Sequence, residues 1–179
     1  MKFKTTLIFS WLLLSFSAIK AQHNNIVIGP EINLPSGNST NVSGFGMGAY
    51  LKGEIGLSEK FSLTANGGVS SFLGKKIYGP RTQTLSYLPL KAGLKYYTDN
   101  NFYLEGQLGA SFGFNGSEKT ALVWSPGIGS FIRSKKSNNQ LDLGLRYEGW
   151  TSSRILIPSG TNYTTFGFFS LRAGYAFNL

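Results

Sequence analysis

The sequence has no cysteine and a single histidine, His23, among its 179 residues. Without cysteine the chain cannot form a disulfide, so its stability cannot come from a disulfide scaffold. Transition-metal sites are built mainly from cysteine and histidine, and the 8 acidic residues stand singly, without the spacing of a calcium loop. We therefore expect no metal site and no cofactor.

Long apolar runs are also scarce. The most prominent one lies within residues 7–16, well short of the roughly 20 residues that a membrane-spanning helix needs. Lys2 and Lys4 precede it, and small Ala21 ends the segment before Gln22. This pattern predicts that residues 1–21 are a secretory signal peptide that is cleaved. The mature chain, residues 22–179, has a length typical of one domain.

The charge balance is basic. Removing Lys2, Lys4 and Lys20 with the signal peptide reduces 17 basic residues to 14, against 8 acidic ones, so the mature chain carries about +6. A basic chain often binds nucleic acid, but export makes that partner improbable. We expect anionic lipid headgroups or lipopolysaccharide phosphates as the counterparts, and no nucleic acid.

Nucleophilic catalysis has little support in these residues. A serine nucleophile needs a base such as histidine, and His23 lies two residues into the mature chain, outside the first predicted strand. The glycine run at residues 44–48 precedes no predicted helix, so it does not indicate a nucleotide-binding loop. We expect a protein that is not an enzyme.

What the chain has in abundance is glycine, with 23 residues, and aromatic residues, at 15%. Between turn-rich stretches, apolar and polar residues alternate with the period of a β-strand. The pattern predicts eight strands, near residues 25–35, 44–57, 61–73, 84–97, 102–114, 121–133, 140–151 and 164–179.

Each predicted strand has one apolar face without a charged residue, and the opposite faces carry five acidic and five basic residues. These ten are Glu31, Lys52, Glu54, Lys91, Lys95, Glu105, Asp142, Arg146, Glu148 and Arg172. Such numbers suit mutual ion pairing in a narrow interior, since an unpaired buried charge costs several kcal/mol. Across the short turn at 98–101, Lys95 is expected opposite Glu105 and Tyr97 opposite Tyr103.

Alternation alone is compatible with two folds. In a soluble barrel of the lipocalin kind the apolar faces point inward, whereas in a membrane barrel they face lipid and the charges line the lumen. The charge-free apolar faces, the balanced opposite faces and a last strand that runs to Leu179 favour the second. We predict an all-β fold, an eight-stranded antiparallel up-and-down transmembrane β-barrel. A secreted barrel that binds an apolar ligand, and a lipid A-modifying outer-membrane enzyme, remain alternatives.

An eight-stranded barrel has a lumen just wide enough for side chains, which disfavours a wide pore. We expect it to be filled by the ion pairs and by the aromatic residues Tyr50, Phe72, Tyr97, Tyr103, Phe131 and Trp150. Short connections at 58–60, 98–101 and 134–139 alternate with longer ones near 36–43, 74–83, 115–120 and 152–163. Outer-membrane barrels have short periplasmic turns and longer external loops, and the even number of strands then places both termini in the periplasm.

Outward aromatic residues are expected at both ends of the barrel. The predicted periplasmic group is Phe61, Tyr96, Phe102, Tyr175 and Phe177, and the predicted outer group is Phe45, Phe114, Trp124 and Phe166.

Binding is expected from the longer loops, because function often resides in loops on a rigid scaffold. One loop carries Lys75, Lys76, Tyr78 and Arg81, which suit lipopolysaccharide phosphates or an external partner. Another carries an apolar run beside a cation, namely Arg154, Ile155, Leu156 and Ile157. The alternatives are that both loops are simply solvated, or that Ile155 to Ile157 continue a strand beyond the membrane.

The pattern resembles the eight-stranded outer-membrane barrels of the OmpA/OmpX type, and more closely the porin-family outer membrane protein β-barrel domain common in Bacteroidota. Residues 87–97, 125–129 and 141–150 carry the resemblance, together with the last strand. In such proteins the final strand is the signal for the outer-membrane assembly machinery, here through Tyr175, Phe177 and Leu179. The resemblance implies an outer-membrane protein without known catalytic residues. We expect a monomer with a structural or interaction role.

Overall fold

A computed structural model describes residues 24–41, 43–74, 84–99, 101–114, 120–133, 139–156 and 160–179, with backbone only for 153–156 and 160–163. Eight strands account for most of them. They are β1 Asn25–Pro35, β2 Ser43–Gly56, β3 Phe61–Gly74, β4 Leu85–Tyr97, β5 Phe102–Gly113, β6 Ala121–Arg133, β7 Gln140–Leu156 and β8 Gly160–Asn178. A short 3-10 turn, Gly37–Asn41, follows β1. No helix in these ranges is long and apolar enough to cross a membrane.

The strands form a closed barrel in which each is antiparallel to its neighbours in sequence, and β8 closes on β1. Asn25 pairs with Asn178 and Glu31 with Arg172 in this closing ladder. Closure satisfies the backbone groups that an open sheet would leave unpaired at its edges, a requirement in a bilayer core. The eight-stranded antiparallel up-and-down barrel predicted from the sequence is confirmed.

Strand alternation places the apolar faces outside. Leu108 is 65% exposed and Leu122 60%, whereas Lys52 and Lys95 on the opposite faces are 1% and 0% exposed. This distribution inverts that of a soluble barrel, whose exposed face must be polar. It is the arrangement expected of a barrel whose outer surface contacts lipid, as the transmembrane fold class requires.

The ends of β7 and β8 differ from the sequence prediction. The residues from 152 to 163 were expected to form a longer loop, but β7 continues to Leu156 and its backbone pairs with β8 as far as Gly160. The alternative interpretation of Ile155 and Leu156 as a strand extension is therefore correct for their backbone. The antiparallel ladder continues because each further pair of residues satisfies its own backbone hydrogen bonds.

Phe166 is a second correction. It was expected among the outward aromatic residues, but it packs inside the barrel against Phe72, with ring centroids 5.0 Å apart. Its position in β8 has the same parity as Arg172, which also points into the lumen, because alternate residues of a strand share a face. At the start of β2, a register irregularity between Ser43 and Phe45 leaves Gly44 exposed and Ser43 buried.

The short turn between β4 and β5 is held by Asp99. Its carboxylate accepts hydrogen bonds from the backbone N–H groups of Asn101, at 2.7 Å, and Phe102, at 2.8 Å. Both bonds stabilise the ionised carboxylate and hold the pKa of Asp99 below its ordinary value. The turn sets the register of the hairpin, in which Lys95 is paired with Glu105 and Tyr97 with Tyr103, as predicted.

Close approach of β4 and β5 requires glycine at position 109. A Cβ there would meet the carbonyl oxygen of Leu90 and lie 2.7 Å from the Cα of Lys91. Gly106, on the same strand, faces outward, and a Cβ there meets nothing within 4 Å. The two glycines therefore form a matched pair for mutation.

We predict that Gly109→Ala lowers the free energy of unfolding by about 1–3 kcal/mol, because the added methyl group overpacks the contact with β4. Gly106→Ala is expected to change it by less than about 0.5 kcal/mol. Urea unfolding of the barrel in lipid vesicles, followed by tryptophan fluorescence, measures both. Equal stability of the two variants would contradict the close approach.

Candidate functional site: an ion-paired lumen between two aromatic layers

The lumen collects charges from six of the eight strands, β1, β2, β4, β5, β7 and β8. All ten charged residues singled out in the sequence are at most 5% exposed, and each takes part in at least one ion pair. Most of the pairs join strands that are not neighbours in the barrel, so the bonds cross the lumen. They tie opposite walls together in a way that backbone ladders cannot.

Two ion pairs lie toward the end where the chain termini meet. Lys52 on β2 lies 2.6 Å from the Oδ2 atom of Asp142 on β7, and Lys95 on β4 lies 2.5 Å from the Oε2 atom of Glu54 on β2. The second oxygen of each carboxylate accepts a tyrosine hydroxyl, from Tyr103 at 2.5 Å for Asp142 and from Tyr97 for Glu54. Both carboxylates thus have charged and neutral donors at once.

The same tyrosines also contact the lysines through their rings. The Lys95 ammonium lies 4.1 Å from the ring centroid of Tyr103 and 4.8 Å from that of Phe131. The negative face of an aromatic ring attracts a desolvated cation by up to about 2 kcal/mol. Tyr97 and Tyr103 were predicted only to fill space, and the structure shows that they also donate hydrogen bonds.

Glu148 is the most heavily used acid of the network. Its Oε1 atom binds the Lys91 ammonium and lies 3.4 Å from the Nη2 atom of Arg172. Its Oε2 atom accepts a hydrogen bond of 3.0 Å from the indole Nε1–H of Trp150. One carboxylate on β7 therefore binds a cation from β4, a cation from β8 and the indole of Trp150, which lies two residues further along β7.

Arg172 also connects Glu148 to Glu31. Its Nη2 atom lies 2.8 Å from the Oε2 atom of Glu31, and its guanidinium stacks 4.5 Å from the ring centroid of Tyr50. Ser70 donates a 2.5 Å hydrogen bond to the other oxygen of Glu31. The network thereby reaches across the seam where β8 closes on β1.

A neutral residue that the sequence analysis did not single out links the remaining pair. Arg146 lies 3.0 Å from the Oε2 atom of Glu105 and donates a 2.7 Å hydrogen bond to the amide oxygen of Gln107. The amide nitrogen of Gln107 donates in turn to Glu105, at 2.9 Å. The signal available was parity, since Gln107 lies two residues after Glu105 and so shares its face.

Aromatic layers close both ends of this network. Tyr50, Tyr97, Tyr103 and Phe131 pack with Val27 and Ala176 toward the termini, while Phe72, Trp150 and Phe168 pack with Ala121 and Val123 toward the opposite end. The six aromatic residues predicted to fill the lumen are all buried. No open channel is expected through such a cross-section, since each end is packed with rings.

The chemistry available to this arrangement is pairing and packing. No group of three or more histidine, cysteine or acidic residues that would hold a metal occurs in the described ranges. The carboxylates are each engaged by cations or hydroxyl groups, which leaves them poorly suited to act as a general base. The lumen therefore has the character of a rigid scaffold.

Most of the loop residues predicted to bind partners lie outside the residues that the structure describes. Lys75, Lys76, Tyr78, Arg81 and Ile157 lie outside the described residues, as does His23. Arg154, Ile155 and Leu156 belong to β7 by their backbone. The candidate contacts at these positions therefore remain predictions.

The three C-terminal residues singled out lie on the outer face of β8. Tyr175 is 45% exposed, Phe177 43% and Leu179 79%, and the Tyr175 and Phe177 rings pack with centroids 4.8 Å apart. The backbone N–H of Leu179 donates a 2.9 Å hydrogen bond to the carbonyl of Asn24. The last residue thus still belongs to the seam with β1.

Comparison with known proteins finds similarity in structure. No protein-family model matches the chain, and no curated protein matches it significantly. The structure is similar to Ail, the attachment invasion locus protein of Yersinia pestis, at 20% identity and a TM-score of 0.57, covering 86% of this chain and 97% of Ail. Another solved structure shows Ail in complex with the heparin analogue sucrose octasulfate.

Two further solved structures have the same fold. Neisserial surface protein A is 13% identical with a TM-score of 0.61, covering 90% of this chain and 100% of that one. The outer membrane protein OprG of Pseudomonas aeruginosa is 11% identical with a TM-score of 0.53, covering 87% and 97%. These likenesses show that the chain has the fold of small outer-membrane barrels.

The central position of Glu148 leads to a prediction. Glu148→Gln leaves Lys91 and Arg172 with less compensation in a buried site, so we expect a loss of about 3–5 kcal/mol in the free energy of unfolding. Glu59→Gln, at an exposed turn position, is the matched control and should cost less than about 0.5 kcal/mol. Urea unfolding in lipid vesicles measures both.

Adding Lys91→Met to Glu148→Gln removes a cation together with its partner and should recover part of the loss. A double variant no more stable than Glu148→Gln alone would contradict the coupling of these two side chains.

Proposed function

We propose that this chain is a small outer-membrane protein with a structural or interaction role, in which a filled lumen supports loops that face the exterior. The observation that carries the proposal is the inverted distribution of polarity, with an apolar outer surface and ten paired charges inside. A surface of this kind is stable against lipid and would aggregate in water. The shared fold with outer-membrane barrels agrees with this location.

The soluble alternative does not fit this interior. A secreted lipocalin-like barrel would need an apolar cavity for its ligand and a polar exterior, and here the interior charges are buried and the leucines exposed. Catalysis is also not part of the proposal. The carboxylates are held in ion pairs, and a serine nucleophile would lack a histidine partner on the loop side of the barrel.

Export and orientation complete the proposal. Residues 1–21 direct secretion and are removed, and the last strand, with Tyr175, Phe177 and Leu179, is recognised by the outer-membrane assembly machinery. Both termini then lie in the periplasm and the monomeric barrel exposes its β1–β2, β3–β4, β5–β6 and β7–β8 connections to the exterior. We further propose that the chain belongs with the porin-family barrel domains of Bacteroidota, on the strength of the strand patterns at 87–97, 125–129 and 141–150.

Lipopolysaccharide is the proposed external counterpart. The connection after β3 carries Lys75, Lys76, Tyr78 and Arg81, so three cations and a ring occur within seven residues. Phosphate oxygens bind such cations through charge-assisted hydrogen bonds. Ail, a barrel of the same fold, has been solved in complex with the heparin analogue sucrose octasulfate, which supports a polyanion as the ligand proposed for this chain. The run from Arg154 to Ile157 provides a second candidate contact.

The location is tested by fractionation. We expect the full-length chain, expressed in a Gram-negative host, to appear in the outer membrane as a band whose electrophoretic mobility changes on boiling, since a closed barrel resists detergent until heated. A variant that lacks residues 2–21 serves as the control and should remain in the cytoplasm. Recovery of the full-length chain as a soluble periplasmic protein would refute the proposed location.

The loop is tested by charge removal. Replacing Lys75, Lys76 and Arg81 together by glutamine should weaken lipopolysaccharide binding by the reconstituted barrel about tenfold at low salt, because each exposed charge contributes at most about 1 kcal/mol. The matched control replaces three lysines at the opposite end of the barrel by glutamine, Lys60 in the connection between β2 and β3 and Lys135 and Lys136 in that between β6 and β7, so that both variants lose three charges. Equal affinity of the two variants, measured by co-sedimentation with labelled lipopolysaccharide, would rule out the loop as the binding site.

A further inference from the structure

The end of the lumen away from the termini contains a partly enclosed cavity of about 90 Å³. Its walls include four aromatic residues from four strands, Phe72 on β3, Tyr87 on β4, Trp150 on β7 and Phe166 on β8. Leu85 and Ala121, the first residues of β4 and β6, complete the apolar wall. The lining residues therefore come from five strands, all near the end of the barrel that lies away from the termini, so the cavity is at the mouth of the barrel.

The rings around the cavity meet edge to face. Phe72 and Trp150 have centroids 5.6 Å apart at an interplanar angle of 88°, and Phe72 and Phe166 lie 5.0 Å apart at 78°. Tyr87 and Trp150 are 5.0 Å apart at 74°. Aromatic pairs favour this geometry, because the positive edge of one ring meets the negative face of the next. A further ring in the cavity would extend the same arrangement.

The polarity of the wall restricts the class of guest. Ser152 supplies the one hydroxyl group other than that of Tyr87 among the lining residues, and none of them is charged. The Trp150 indole N–H is already directed to Glu148, below the aromatic layer. An ion would therefore lose its hydration without gaining a charged partner, which is unfavourable. An apolar group, in contrast, gains free energy when it leaves water for this wall.

We propose that this cavity, named here the mouth pocket, binds a neutral single-ring aromatic group, either free or at the end of a larger molecule. An engineered apolar cavity of about 150 Å³ takes up benzene, whereas the mouth pocket, at about 90 Å³, is smaller and only partly enclosed. One ring can therefore insert with part of its edge outside the pocket, and two fused rings would leave more of their surface uncovered. One hydroxyl substituent would find a partner at Ser152. The proposal depends on the fold alone and does not require that lipopolysaccharide binds the loops.

The test uses the refolded mature chain in lipid nanodiscs and 4-fluorophenol as the probe, observed by fluorine NMR. We expect saturable binding with a dissociation constant on the order of 1 mM, since so few atoms are buried. Binding of 5-fluoroindole, which has two fused rings, should be at least about tenfold weaker. Absence of saturable 4-fluorophenol binding would overturn the proposal.

Two variants fill the mouth pocket, Ala121→Leu and Leu85→Phe. Each should weaken 4-fluorophenol binding at least about tenfold, because one extra methylene group in an apolar pocket already changes affinity by about tenfold or more. Ala92→Leu is the matched control, because Ala92 lies on the outer face of β4, and it should bind as the unmodified chain does. Unchanged affinity in a filled variant that still shows the heat-dependent mobility shift would place the probe elsewhere, and the proposal would be wrong.

A second readout does not depend on the filled variants being folded. The mature chain has two tryptophans, Trp124 on the outer face and Trp150 at the pocket. In nitrogen-15 spectra, 4-fluorophenol should shift the indole N–H resonance of Trp150 with the same saturation curve and leave that of Trp124 unchanged. The Trp124→Phe variant assigns the two signals. A shift of Trp124 alone would indicate binding to the lipid-facing surface and would refute the proposal.

Discussion

The structure depends on one electrostatic constraint, that charges enclosed by this barrel have to be neutralised by one another. Among the described residues, the lumen walls contribute five cations and five anions, and lipid outside offers them no compensation. With eight strands the opposite walls come close enough for side chains to meet across the lumen. Strand number and charge balance are therefore linked, because a wider barrel would hydrate the same residues and a narrower one would exclude them.

The aromatic layers follow from the same constraint. Rings above and below the network exclude water from the ion pairs, which strengthens their mutual attraction. Tyr97 and Tyr103 show how closely the two parts are joined, since each packs in the layer and donates its hydroxyl to a carboxylate. The lumen is occupied by this arrangement, so contacts with other molecules are left to the mouth of the barrel and to its connections.

The sequence predicted correctly the features that follow from strand alternation, such as the face of most residues. It did not predict the features that depend on the three-dimensional arrangement, such as the partner of each charged side chain. The pairing of Lys95 with Glu105 in register was predictable from the short turn, but the ammonium binds Glu54 across the lumen, while Glu105 binds Arg146. Phe166 was predicted on the outer face, but it lies six residues before Arg172 in β8 and therefore shares the inner face of that arginine. The sequence prediction ended β7 at residue 151 and began β8 at residue 164, because the polar residues between them resemble a loop. In the structure β7 ends at Leu156 and β8 begins at Gly160.

The sequence by itself determined the strand order, the faces of the ten lumen charges and of the apolar residues opposite them, and the equality of opposite charges, because these follow from local alternation and composition. Only the tertiary structure decided which cation meets which anion, that Gln107 joins one pair, and that four rings leave a cavity at one end. The physical reason is that partners across the lumen are far apart in sequence. Their meeting depends on the tilt and stagger of a closed sheet, which no single strand encodes.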